Sequence, residues 1–250
     1  MPQPFRAVIF DLDGVLADSE PWWNKIDKKL LGEYGVAYRG EYHREVLGVS
    51  YRLAIEFYKK AFGICAPTEE LIRRRGEIAT EFFANRVGLF PSAKPVLEGL
   101  RQMNLRLAVA TSSVGASARP FLDRHQLTAF FDVIVTGDEI ERGKPAPDIY
   151  LRVLERMEPA GSCATWTPQS GGRKPDERDQ GVKRPLTANE CLVIEDALSG
   201  IAAAKAAGMR VAAIPDTRFV DAREYEKEAD YVLGSLSEIP PLVRHAAAAG

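Results

Sequence analysis

Six short apolar runs recur along the chain, at Ala7–Asp11, Leu105–Thr111, Val133–Gly137, Cys191–Glu195, Val211–Pro215 and Tyr231–Gly234, each ending in polar or turn-forming residues. Such runs predict strands buried on both faces. Between them apolar residues take helical spacing, at Val96–Met103, Ser117–Gln126, Ile149–Arg156 and Ile201–Ala207, with Gly208 where the last helix should stop. Alternating strands and helices predict an α/β class, a doubly wound parallel sheet covered on both faces.

The alternation breaks between Glu20 and Arg86, where helical periodicity carries almost no strand signal. Trp22, Ile26, Leu30 and Leu31 can share one helix face; Leu53, Phe57 and Phe62 a second; Leu71, Ile78, Phe82 and Phe83 a third. These aromatic stripes read as packing surfaces, because helical spacing is what packing requires. A small all-helical domain over residues 17–89 is expected, inserted into a core made of residues 1–16 and 90–250.

A second anomaly, Pro159–Thr187, is rich in Pro, Gly, Ser and charge. It is too polar to pack and too long for an ordinary connection, so it reads as a surface insertion without a chemical role. Trp166 is its one large apolar residue.

Composition narrows the function classes. With 33 basic against 35 acidic residues the chain has no basic footprint, so nucleic acid is not an expected partner. No apolar run is long enough to span a bilayer, and no leader pattern precedes the first strand, so a cytoplasmic protein without membrane contact is expected, a monomer or weak dimer. Cys65, Cys163 and Cys191 lack any paired spacing, which argues against disulfides and zinc.

In open parallel sheets ligands bind beyond the carboxyl ends of the strands, so the residues closing the apolar runs are the candidates. The first run closes in Asp11-Leu12-Asp13-Gly14 and the fourth in Glu195-Asp196. Four carboxylates at neighbouring strand ends repel one another unless a cation sits among them, and a hard divalent ion with oxygen ligands, magnesium where phosphate is bound, suits them. The second run closes in Thr111-Ser112-Ser113, hydroxyls and backbone N–H groups at the start of a helix, suited to phosphate oxygens. After the third comes Gly143-Lys144-Pro145-Ala146-Pro147, a proline-stiffened loop around a single lysine. Taken singly, a DxD can be a turn or cap, a loop lysine solvated, and a Ser or Thr an N-cap. Their joint occurrence in this order describes a phosphoryl-transfer site.

The strings DLDGVLADSE, TSS, GKPAPDIYL and VIEDALSGIAAAKAAGM together resemble the haloacid-dehalogenase-like hydrolases, in the helical-cap branch that includes beta-phosphoglucomutase and many sugar-phosphate phosphatases. The resemblance covers nearly the whole chain apart from 159–187, and implies a Rossmann-like core with the helical insert as its cap. It implies Asp11 as nucleophile of an aspartyl-phosphate, Asp13 as general acid and base, and Thr111 and Ser112 as ligands of the phosphoryl oxygens. Lys144 would neutralise charge on Asp11 and the phosphoryl group. Magnesium would be held by Asp11, the backbone carbonyl of Asp13 and Asp196, with Glu195 close by. The loop Gly48-Val49-Ser50-Tyr51-Arg52 would shape specificity, with Ser50 and Arg52 as its candidate substrate contacts. Two departures separate the chain from the mutases: Trp22-Trp23 where a cap histidine is expected, and Val114-Gly115-Ala116 where polar residues would hold a distal phosphate. The expected activity is therefore hydrolysis of a small phosphate ester, with mutase chemistry and a catalytically silent binding module as alternatives.

Overall fold

The computed structural model describes residues 5–39, 42, 45–46, 49–157 and 185–248. Of the polar insertion, residues 159–184, including Trp166, lie outside them.

Six parallel strands form the main sheet, in the order β5-β4-β1-β6-β7-β8. They are β1 (Ala7–Phe10), β4 (Arg106–Ala110), β5 (Val133–Val135), β6 (Cys191–Glu195), β7 (Arg210–Ala213) and β8 (Tyr231–Val232), matching the six apolar runs. β1 lies between β4 and β6, with Phe10 level with both Val109 and Ile194. That register brings the residues following Phe10, Ala110 and Ile194 to one edge of the sheet.

Because side chains alternate across a strand, the central strands feed two apolar layers. Val8, Phe10, Val109 and Ile194 face one layer, with α4 (Ala93–Gln102), α5 (Gly115–Arg124) and α8 (Ile239–Ala248). Ala7, Ile9, Ala108 and Val193 face the other, with α6 (Asp148–Met157) and α7 (Leu198–Ala206). Every residue of β1 and β6 is buried, which explains why both are apolar as far as Glu195 at the end of β6.

The insert consists of α1 (Glu20–Glu33), α2 (Tyr51–Phe62) and α3 (Thr68–Asn85). Pro21 sits in the first turn of α1, where its missing N–H costs nothing. The Ser50 side chain caps α2 by accepting from the Leu53 N–H. A small antiparallel pair, β2 (Ala17–Asp18) with β3 (Gly88–Leu89), brackets the three helices. We propose that the two domains meet there, near the boundaries expected at 17 and 89.

The expected α1 face holds at Ile26, Leu30 and Leu31, with Trp23 buried and Trp22 only partly covered, while the expected α2 face is rotated. On α2 the buried residues are Tyr51, Ala54, Ile55 and Tyr58, while Leu53 is 41% exposed. The reason is a polar group inside the cap: Asp27 accepts two bonds from Arg75 of α3, at 2.7 and 3.2 Å, and one from the Tyr58 hydroxyl at 2.7 Å. Burying that ion pair turns its own side of each helix inward, which a purely apolar count cannot register. No helix among the described residues is long and apolar enough to cross a membrane.

Candidate active site

The carboxyl ends of β1, β4 and β6 converge on Lys144. Its ammonium donates to Asp11 Oδ1 at 2.6 Å, to Glu195 Oε1 at 2.7 Å and to the Ala110 carbonyl at 3.2 Å. An ammonium has three protons, so these acceptors satisfy it completely. Glu195 Oε1 also accepts from the Tyr150 hydroxyl of α6. The loop carrying Lys144 includes a cis Lys144–Pro145 peptide.

Asp11, Glu195 and Asp196 each present an oxygen within 4.8 Å of the others, all three residues buried. One lysine among three carboxylates leaves excess negative charge. Burial, and then repulsion from Glu20, Asp11 and Glu195, holds the Asp196 carboxyl well above the ordinary range. Asp11 is raised as well, chiefly by burial, with Glu195 and Asp13 adding to it and Lys144 opposing. Burial opposes the charge on Lys144, yet Asp11 and Glu195 outweigh it and lift its pKa well above the ordinary value. Buried hard oxygen donors carrying unbalanced charge fit a divalent cation.

Two glycines make room for this arrangement. A Cβ on Gly14, whose φ is +72°, would lie 1.9 Å from Asp196 Oδ2. A Cβ on Gly200 in α7 would lie 1.9 Å from Glu195 Oε1. Neither position accepts a side chain without displacing a carboxylate of the trio.

Asp13 is held separately. Oδ1 accepts from the indole N–H of Trp23 at 3.0 Å, and Oδ2 accepts from the hydroxyls of Thr111 at 3.1 Å and Ser113 at 2.8 Å. Its side chain is thus engaged away from the acidic trio, and its expected metal contact was through the backbone.

The other sequence candidates divide. Thr111, expected to hold a phosphoryl oxygen, instead spends its hydroxyl on Asp13 and accepts from the Ser113 N–H at 3.0 Å, because it is fully buried behind the strand end. Ser112 lines the chamber together with Asp11, and its buried hydroxyl has no hydrogen-bond partner among the described residues. Arg52 does not reach the chamber. It follows Tyr51 on the outward side of α2, pairs with Glu69, and its side chain is 52% exposed. Ser50 serves as the α2 cap and lines an outer crevice with Arg52.

Of the other chamber residues, Glu20 and Arg75 were not singled out from the sequence, while Trp23, Tyr51 and Ser113 were named only as members of short segments, without a role of their own. Arg75 and Asp27 did leave a signal, since each is a charge within the buried stripe of its helix. The chamber measures about 40 Å³, little more than one water, and is roofed by Trp23, Val46, Val49, Tyr51 and Arg75 from the helical insert. Beyond it opens a crevice of about 540 Å³ between insert and core.

A parallel sheet with helices on both faces thus carries a helical roof over a buried acidic centre at its strand ends. The chain belongs to the haloacid dehalogenase-like hydrolase family, whose model matches residues 8–164. It is 32% identical over 204 residues to the phosphorylated carbohydrates phosphatase of Thermotoga maritima, covering 82% of each chain. It is 30% identical to the mitochondrial (DL)-glycerol-3-phosphatase 1 of Arabidopsis thaliana, covering 94% of this chain and 71% of that one. The structure of CbbY from Rhodobacter sphaeroides in complex with phosphate shares the fold, with a TM-score of 0.73 at 24% identity over 94% of this chain and 96% of the other.

Proposed function

We propose that this chain is a magnesium-dependent phosphatase that hydrolyses a small phosphorylated carbohydrate through an aspartyl-phosphate on Asp11. The observation that carries the reading is Lys144 clamped between Asp11 and Glu195 inside a buried acidic trio. A carboxylate nucleophile divides one difficult displacement into two easier ones, and a buried ammonium neutralises the charge that accumulates there.

An Asp11 oxygen attacks phosphorus while the ester P–O bond breaks, and Asp13 gives its proton to the departing alkoxide. Asp13 then takes a proton from the water that attacks the acyl phosphate, releasing inorganic phosphate and restoring Asp11. The hydroxyls of Thr111 and Ser113 suit both halves, since a hydroxyl can donate to the carboxylate or turn to accept from the acid. Ser112 receives a phosphoryl oxygen, and the Lys144 ammonium, held between Asp11 and Glu195, neutralises charge on the phosphoryl group through its field. Asp11, Asp196 and Glu195 are the residues that would hold Mg²⁺, which when bound neutralises carboxylate and phosphoryl charge.

The carbohydrate substrate is supported by the named activities of the two relatives and by the outer crevice, whose walls mix polar and apolar side chains. A roof that leaves only about 40 Å³ implies that substrate enters when the insert swings open and reacts after it closes. Release of inorganic phosphate from a panel of phosphorylated metabolites, with Mg²⁺ and with a chelator, tests the reading. Metal-dependent release from at least one sugar or polyol phosphate is expected. Isomerisation of a hexose 1-phosphate without phosphate release would replace hydrolysis with mutase chemistry.

A further inference from the structure

Tyr51 and Ser112 are the two residues that line both the small catalytic chamber and the larger crevice, so together they form the neck between them. Each carries a buried hydroxyl without a hydrogen-bond partner. Buried polar groups are nearly always satisfied, and an exception at the mouth of a reaction chamber points to a ligand atom that completes it.

Tyr51 is fixed in place. It opens α2 directly after the Ser50 cap, is 6% exposed, and packs edge-on against Trp23 with ring centroids 5.6 Å apart. The Arg75 guanidinium lies 4.7 Å from its ring centroid. With the ring held on these sides, the hydroxyl has little freedom to seek a partner elsewhere. The hydroxyls of Ser113 and Ser117 act on it as weak hydrogen-bonding neighbours and Asp13 acts through its charge, but none of them makes a well-formed hydrogen bond to it. Burial holds its pKa above the ordinary phenol value, so it remains a neutral O–H able both to donate and to accept.

The neck has two sides. Ser112 follows Thr111 at the end of β4, on the side of the phosphoryl group. Tyr51 belongs to the roof, near the acid/base Asp13 and hence near the oxygen that leaves. A group adjacent to the ester carbon would therefore meet the phenol first. A neutral donor and acceptor suits a hydroxyl there; a carboxylate would meet an uncharged partner beside the field of Asp13, and a methylene would leave the phenol unpaired.

We propose that the Tyr51 hydroxyl is a specificity-determining contact for a hydroxyl on the carbon next to the phosphorylated carbon of the substrate. This inference rests on the phosphatase reading and narrows its substrate class to acyclic polyol phosphates and other esters with a free vicinal hydroxyl. Simple alkyl phosphates and phosphorylated hydroxy acids are disfavoured.

The test compares the wild-type chain with Tyr51→Phe on glycerol 3-phosphate, sorbitol 6-phosphate, 3-hydroxypropyl phosphate and phosphoglycolate, in Mg²⁺, with p-nitrophenyl phosphate as a general reporter of phosphatase chemistry. Wild type is expected to prefer glycerol 3-phosphate to 3-hydroxypropyl phosphate by about tenfold or more in kcat/KM, and Tyr51→Phe to erase most of that preference. The melting temperature should not fall, because the substitution removes an unsatisfied buried hydroxyl rather than a bond. A preference that survives intact in Tyr51→Phe overturns the proposal. So does a wild-type enzyme that hydrolyses p-nitrophenyl phosphate or phosphoglycolate but neither polyol phosphate. Absence of turnover on every ester, the reporter included, overturns the phosphatase reading itself.

Discussion

The indole N–H of Trp23 donates to Oδ1 of Asp13 at 3.0 Å, so the first helix of the insert holds the residue proposed as acid and base. Trp23 in turn packs against Tyr51 and Phe83, and the Arg75 guanidinium lies 4.5 Å from its ring centroid. In this arrangement the roof therefore also orients the group proposed for proton transfer.

Trp23→Phe keeps an aromatic ring but deletes the donor and trims the buried indole. The lost hydrogen bond to a carboxylate is expected to lower kcat about tenfold or more, with a smaller effect on KM, and the smaller ring to lower thermal stability. Steady-state kinetics on any accepted ester measures this. An unchanged kcat would mean that the bond has no part in turnover.

The Asp27–Arg75 pair is almost wholly enclosed, with side chains 0% and 6% exposed. Replacing Asp27 by Ala strands a buried guanidinium and leaves the Tyr58 hydroxyl without its acceptor. Urea denaturation should show a loss of about 3–5 kcal/mol, the range for breaking one half of a buried pair. A loss near that of a surface pair would show that water reaches the site.

The raised carboxylates make a signed prediction about pH. Asp11 and Asp196 have pKa values above their ordinary range in the folded chain, chiefly through burial, so between those limits the folded state binds more protons than the unfolded state. Their contribution to metal-free stability is therefore greatest below the ordinary carboxylate range and falls as pH rises through the raised values. In chelator, the urea midpoint should rise as the pH is lowered from neutral toward the mildly acidic range. Saturating Mg²⁺ should flatten that slope, because a bound cation stabilises the ionised form. A metal-free midpoint that declines steadily over the same interval contradicts the acidic-trio description.

Gly14→Ala places a methyl group 1.9 Å from Asp196 Oδ2, at a backbone angle that side chains rarely adopt. Displacing that carboxylate should weaken Mg²⁺ binding about 10–100-fold, the usual scale for disturbing a group that orients a metal ligand. Titration of activity and of melting temperature against Mg²⁺ gives two independent readings of that shift.

The sheet was legible because burial on both faces forces strands such as Val8–Phe10 and Leu192–Ile194 to be apolar without interruption, and because their polar ends carry the chemistry. Asp11 and the adjacent Glu195 and Asp196 meet because parallel strands present their carboxyl ends on one edge, and the loop before α6 brings Lys144 to them. The insert was less legible. Its helices were evident from their period, but on the inward face of α2 the Tyr58 hydroxyl donates to Asp27 of α1, a tertiary fact that no local pattern carries. For the same reason the pairing of Arg52 with Glu69, which sets it in the wall of the outer crevice and not in the chamber, could not be read from the sequence. Thr111 and Ser112 show the limit at atomic scale: the hydroxyls are neighbours in sequence, and only the fold assigns one to Asp13 and leaves the other unpaired.

The central claim is covalent catalysis by Asp11. Rapid acid quenching of the wild-type chain during turnover, followed by peptide mass mapping, should reveal the added mass of one phosphoryl group on the peptide containing Asp11. The same peptide from Asp11→Asn should be unmodified, and that variant should release no measurable phosphate. Undiminished turnover by Asp11→Asn, or a phosphoryl group mapped to another residue, would contradict the account.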